Sequence, residues 1–106
     1  MSIEIKINND EQVCKIEVIG QVDLYTSPEL RKAILSGMDK VNKKMLVELS
    51  NVEYMDSSGV ATLVEGLRSA MKHKKEFYLV SPSPAVRKVL NLARLESVFT
   101  ILESDS

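Results

Sequence analysis

The sequence predicts a single α/β domain: a mixed β-sheet with helices packed mainly on one face, in the order β-β-α-β-α-β-α-β. Three features point there. Two segments of alternating apolar and polar residues open the chain, the pattern of half-buried strands. After residue 20, extended apolar runs alternate with helical patterns, which implies right-handed crossovers and largely parallel pairing. Each helical segment carries one apolar stripe, so each has one face to bury. A length of 106 residues fits one domain spanning 1–106.

The elements are taken in chain order. Residues 3–8 (IEIKIN) and 13–19 (VCKIEVI) alternate, with Asn8, Asn9 and Asp10 as the turn between them and Gly20 as the end of the hairpin. A helix begins near Thr26 or Ser27. Thr26 and Glu29 have the capping-box spacing, and Pro28 falls in the first turn. Leu30, Ala33, Ile34, Met38 and Val41 make its inward stripe. Residues 45–49 (MLVEL) read as a buried central strand. A second helix starts at Ser57–Ser58, with Val60, Leu63, Val64, Leu67 and Met71 inward. Residues 76–80 (EFYLV) are a strand. Ser83 caps a third helix opened by Pro84, with Val86, Val89, Leu90 and Ala93 inward. Residues 98–102 (VFTIL) close the sheet.

Composition excludes several classes of function. Fourteen Lys and Arg against fifteen Asp and Glu leave no surplus of cations for binding nucleic acid through its phosphates. No apolar run approaches a membrane span, and MSIEIKINND is too polar for a signal peptide. A lone cysteine, Cys14, cannot close an internal disulfide, so a reducing, cytoplasmic setting is expected and Cys14 reads as a packed strand residue. One His and one Cys make a protein-only zinc site implausible, and no cofactor is implied. Lys72, His73, Lys74 and Lys75 read as a solvated helix end.

Chemistry concentrates in Val52-Glu53-Tyr54-Met55-Asp56-Ser57-Ser58-Gly59-Val60. A buried strand ends there and two serines stand at the mouth of a helix, the position where open α/β sheets place their sites. Helix capping by Asp56 and Ser57 explains the pattern in purely structural terms. A nucleophilic serine fits poorly: MDSSG lacks the first glycine of the hydrolase elbow. The lone His73 stands about 24 Å along the helix from Ser57 at 1.5 Å per residue. A phosphate-binding loop is weakly supported, with one glycine, no Walker lysine and the acidic Asp56 alongside. A phosphorylation switch fits better. A serine on an exposed helix start is accessible to a kinase, and the added charge would disrupt any surface that must fit a partner.

Gly20-Gln21-Val22-Asp23-Leu24, the helix centred on Leu30, MLVELSNVEYMDSSGVATLVEGLRSA and VSPSPAVRKVLNLARL together resemble the STAS domain of bacterial anti-sigma factor antagonists. The likeness covers residues 3–102. It implies a non-enzymatic partner switch: the unphosphorylated antagonist binds an anti-sigma factor that is also a serine/threonine kinase, and so frees the sigma factor. Phosphorylation of the first hydroxyl residue after the Asp of the box, here Ser57, releases the kinase, and a PP2C-type phosphatase reverses it. ATP and its metal belong to the kinase. Asp56 would flank the acceptor, Ser58 would serve as helix cap and Gly59 would permit close approach. Asp23 would stand at the same sheet edge, as a surface carboxylate meeting a cation of the partner or as a turn residue before Thr26. Many members of the family carry a further C-terminal helix. Only Glu103, Ser104, Asp105 and Ser106 come after the last strand here, too few for one, so contacts made through such a helix are not expected, and exposed sheet or helix surface is expected as a site of self-association. The alternative from another class is a STAS subunit that docks on a transporter or a lipid-trafficking ATPase, with Ser57 as an interface residue. An enzyme with Ser57 as nucleophile is a distant third.

Overall fold

A computed structural model describes residues 2–104. The strands are β1 (Ile3–Asn9), β2 (Val13–Val22), β3 (Lys44–Met55), β4 (Glu76–Val80) and β5 (Thr100–Leu102), and the helices α1 (Ser27–Ser36), α2 (Ser57–Lys72) and α3 (Pro84–Leu92). The five strands lie side by side in chain order. β1 and β2 are an antiparallel hairpin, and β2, β3, β4 and β5 run parallel. Each parallel neighbour is reached through a helix, the crossover that parallel pairing requires.

The core lies on one face of this sheet. In register, Cys14 pairs with Met45 and Met45 with Phe77, while Ile16 pairs with Val47 and Val47 with Leu79. These residues join Leu30 and Ile34 of α1, Val60 and Leu63 of α2, and Val86 and Leu90 of α3 in one buried cluster. Leu46 and Val80, buried on the opposite side of the pleat, are not part of it. The helices therefore cover one face, as expected. Arg31 of α1 donates from Nε to both carboxylate oxygens of Glu65 on α2, at 3.0 and 2.6 Å, across the solvent side of the helix pair.

Several local expectations are corrected. Gly20 does not end β2. It sits inside the strand with φ +108°, where the register with β3 shifts, so the glycine makes a bulge and the strand runs on to Val22. β3 extends well past Leu49 to Met55. The last strand is shorter than 98–102, because Glu96–Val98 form a 3-10 turn. Val41 is 79% exposed, since α1 stops at Ser36 and its stripe does not continue past the 3-10 turn after it. Met71, in the last turn of α2, is 69% exposed, and Ala93, just beyond α3, is exposed too. Val60 and Leu63 face inward as expected, with Val64 and Leu67 packed against the core, and Gly59, Thr62, Gly66 and Ala70 complete the buried face of α2.

Two termini also differ from expectation. The Thr26–Glu29 capping box does not form: Thr26 makes no side-chain cap bond to α1. The basic end of α2 is only partly solvated. Lys74 turns left-handed (φ 58°), and Lys75 Nζ donates to the carbonyls of Lys40 (2.8 Å) and Asn42 (2.5 Å), tying α2 to the loop before β3. Cys14 is fully buried, and burial pushes its thiol pKa up against the opposing pull of Lys75 and Lys40. Of the four residues after β5, Glu103 accepts from Arg87 Nη2 of α3 at 2.5 Å, and Asp105 and Ser106 lie outside the described residues.

The Gly20 bulge gives a direct test. A Cβ built there would stand 2.5 Å from the Ser2 carbonyl oxygen, and the backbone is in the region that L-residues avoid. Gly20→Ala should lower stability by about 2 kcal/mol, read from the urea midpoint. An unchanged midpoint would show that β1 and the bulge relax without cost.

Candidate functional site

β2 and β3 end together, with Val22 paired to Met55. The next residues are Asp23 and Asp56, so parallel pairing alone places the two carboxylates at adjacent strand ends. The Asp56 amide donates to the Val22 carbonyl at 3.1 Å and locks the junction. Upstream, Gln21 Nε2 donates to Glu53 Oε1 at 3.2 Å, a second tie between the same strands.

Asp56 is the N-cap of α2. Its backbone is extended and its Oδ1 accepts from the Ser58 amide at 2.9 Å. Its carbonyl accepts from the amides of Gly59 (3.1 Å) and Val60 (3.2 Å). The capping role expected of Ser58 therefore belongs to Asp56, and Ser58 is a half-buried residue of the first turn. Gly59 is buried where a Cβ would meet Met55 Cγ at 2.6 Å and Val22 Cγ1 at 2.9 Å. Only glycine lets the first turn of α2 sit this close to the strand ends.

Ser57 is exposed at the first helical position. It stands at one end of a groove of about 530 Å³ between α2 and α3, lined by Val60, Ala61, Val64, Glu65 and Arg68 of α2 and by Val89, Ala93 and Leu95. His73 is the C-cap of α2, at the opposite end of that helix, where its Nδ1 faces the Ser69 carbonyl at 2.8 Å. No imidazole is near Ser57 to act as a base.

Of the two roles expected of Asp23, the structure shows the turn residue before Thr26 and not the surface carboxylate. It is 8% exposed, and its Oδ1 accepts from the amides of Tyr25 (2.9 Å) and Thr26 (3.0 Å) and from the Thr26 hydroxyl (3.2 Å). Thr26 Oγ1 in turn donates to the Gln21 carbonyl at 2.8 Å and accepts from the Asp23 amide at 2.9 Å. Desolvation pushes the Asp23 carboxyl up, but the hydrogen bonds from Thr26 and Tyr25 outweigh it, and its pKa falls below the ordinary value. The turn it ties presents Leu24 and Tyr25, 67% and 87% exposed. These two apolar residues were missed in the sequence, although two large apolar residues in a turn before a helix N-terminus are themselves a signal.

These contacts predict different responses for the two aspartates. Asp56→Ala should cost about 1 kcal/mol through the lost cap, and Asp56→Asn much less, by urea unfolding. A depressed carboxyl pKa adds stability above the unfolded value, here 3.8, and that stability is lost as pH falls through the lower folded value. Asp23→Asn should therefore flatten the acid limb of melting temperature against pH. Parallel acid limbs for wild type and variant would show that the carboxylate charge does not hold the turn.

Comparison with known proteins places the chain. The STAS domain family model matches residues 4–105. The chain is 26% identical over 103 residues to an anti-sigma-B factor antagonist of Staphylococcus aureus, covering 97% of this chain and 95% of that one. Its fold matches the crystal structure of an anti-sigma factor antagonist from Mycobacterium paratuberculosis with a TM-score of 0.88 at 26% identity, over 98% of this chain and 88% of that one. It also matches the phosphorylated form of the Bacillus cell fate determinant SpoIIAA, with a TM-score of 0.73 at 20% identity over 92% and 90%. With the five-stranded sheet, the Asp56-capped helix and a family match over nearly the whole length, the chain belongs to the STAS domain family.

Proposed function

We propose that this protein is an anti-sigma factor antagonist that works as a phosphorylation-controlled partner switch. Unphosphorylated, it binds an anti-sigma factor with serine/threonine kinase activity. Phosphorylation on Ser57 releases that partner, and a PP2C-type phosphatase restores binding. The partner surface comprises Ser57, with Asp56, Ser58 and Gly59 shaping the turn that presents it, and the adjoining Leu24–Tyr25 turn held by Asp23.

One observation carries the reading: Ser57 is an exposed hydroxyl at the lip of an apolar groove, on a helix start fixed by other residues. Among the described residues its hydroxyl takes no hydrogen bond, so a kinase meets it without breaking structure. A phosphate there adds a charge of about −1.5 to −2 at the edge of a mostly apolar surface of valine, alanine and leucine side chains that also carries Glu65 and Arg68. A partner that buries this edge would have to desolvate that charge, which costs several kcal/mol if it is left unpaired. The names of the similar antagonists support the class of partner. Among the described residues no helix is long and apolar enough to cross a membrane. The transporter-docking alternative has no observation in its favour.

Incubation with the kinase should phosphorylate wild type and Ser58→Ala but not Ser57→Ala, by phosphopeptide mass spectrometry. Ser57→Ala should bind the kinase as wild type does, and Ser57→Asp should bind more weakly, by about 1 kcal/mol or more. Phosphate on Ser58 in the Ser57→Ala protein would remove Ser57 as acceptor. Equal calorimetric affinity for wild type and Ser57→Asp would remove the switch.

A further inference from the structure

The hairpin leaves one long strand edge open. Among the described residues β1 pairs only with β2, so its other side lies at the margin of the sheet. The direction of its backbone groups is set by the two ends of the hairpin. The Gln21 amide donates to the Ser2 carbonyl at 2.9 Å, and the Asp10 amide to the Val13 carbonyl at 3.0 Å. Both pairs continue the register that joins Ile3 to Gly20 and Asn9 to Cys14. In an antiparallel pair, hydrogen-bonded residues alternate with residues whose backbone groups point away. Even-numbered residues of β1 therefore bond β2. Ile3, Ile5 and Ile7 aim their N–H and C=O groups at the open edge.

We propose that this edge pairs with the same edge of a second copy of the protein, joining two sheets about a two-fold axis at Ile5. The charges select this register. Several two-fold arrangements oppose outward-facing residues with one another, and those centred on Ile3 or Ile7 set neither Glu4 nor Lys6 opposite the other. Centring on Glu4 sets Glu4 against Glu4, and centring on Lys6 sets Lys6 against Lys6. Centring on Ile5 sets Glu4 opposite Lys6 twice, Ile3 opposite Ile7 twice and Ile5 opposite Ile5. Opposite charges face to face on a strand pair are favourable, and like charges are not. An interface of this kind is isologous, as a closed dimer requires.

The apolar side agrees with the charged side. Ile7 is 49% exposed although it stands on the helix-covered face, and it lines a groove with Ile5, Ala33, Glu29, Lys32 and Ser36 between β1 and α1. A second copy brings its Ile3 opposite that open isoleucine. A lysine on an edge strand usually discourages pairing. Here Glu4 lies two residues away on the same strand face, its Oε2 4.0 Å from Lys6 Nζ, so the lysine specifies a register instead of blocking the edge. The pairing is short, and a weak, concentration-dependent dimer is the expected result. The inference is independent of the role of Ser57.

Sedimentation velocity of the full chain over a concentration series tests it. Wild type should pass from monomer to dimer as concentration rises. Lys6→Glu and Glu4→Lys should each raise the dimer dissociation constant at least about ten-fold, because each sets like charges opposite. The double variant Glu4→Lys/Lys6→Glu should return to within about three-fold of wild type, since the two effects are coupled through one contact. Ile7→Pro should be monomeric with an unchanged melting temperature, because the N–H it removes faces outward and the β2 ladder is untouched. A wild type that stays monomeric up to about 1 mM overturns the proposal and leaves the edge to other partners. So does a double variant that dimerises no better than the single ones.

Discussion

The hydrogen bond from the Asp56 amide to the Val22 carbonyl, 3.1 Å long, joins the ends of two parallel strands that lie thirty-three residues apart in the chain. Two different loops leave from that point. One is the Asp23 turn, which feeds α1, and the other is the single residue Asp56, which starts α2 at once. Neither loop has room to wander. Asp23 binds the amides two and three residues ahead of it, and Asp56 binds the amide two ahead. Both carboxylates thus turn inward on their own backbone, and the outward positions fall to their neighbours in the chain: Leu24 and Tyr25 on one side, Ser57 on the other.

The same junction fixes the direction of Ser57. Gly59 has to face the strand ends, because a Cβ there would meet Met55 and Val22. Two residues on a helix are about 200° apart, so pressing Gly59 inward turns Ser57 outward and leaves Ser58 on the flank. The burial keeps that order, with Gly59 buried, Ser58 half-buried and Ser57 exposed. Continuing from Ser57, Ala61, Val64, Glu65 and Arg68 recur at helical spacing and form one wall of the groove against α3. Glu65 on this wall holds Arg31 of α1, so the wall is also the brace between the first two helices.

This geometry explains which features could be read from the sequence. The strands and helices were legible because their periods are clean, from the alternation of Ile3–Asn9 to the Ser83–Pro84 start of α3, where Ser83 Oγ does accept from the Val86 amide at 3.3 Å. The failures cluster at element ends. Val41, Met71 and Ala93 continue a helical count past the point where the helix gives way to a turn or to solvent. The exposed place of Ser57 at the helix start was legible from its position after Asp56. For Asp23 the sequence left a surface and a turn role open, because the choice depends on the Thr26 hydroxyl bridging the Gln21 carbonyl and the Asp23 carboxylate. A capping-box pattern at Thr26 and Glu29 gave a simpler use for that hydroxyl, and the tertiary use won. Gly20 misled in the same way, since a glycine within a β-pattern marks a bulge as readily as an end.

The arrangement of donors at the start of α2 bears on how a charge at Ser57 could act. A helix N-terminus normally offers free amides to an anion. Here the Ser58 amide is taken by the Asp56 carboxylate, and those of Gly59 and Val60 by the Asp56 carbonyl. To reach the amides of Ser58, Gly59 or Val60, a phosphate on Ser57 would therefore have to displace Asp56, a like charge that already caps the helix. Arg68, the cation on the same helix face, is about 16 Å further along the axis and out of reach. With its inward partners occupied and no cation at hand on α2, such a phosphate has little to reorganise in the fold. Its charge would stay at the surface, and its effect would fall on whatever presses against the groove.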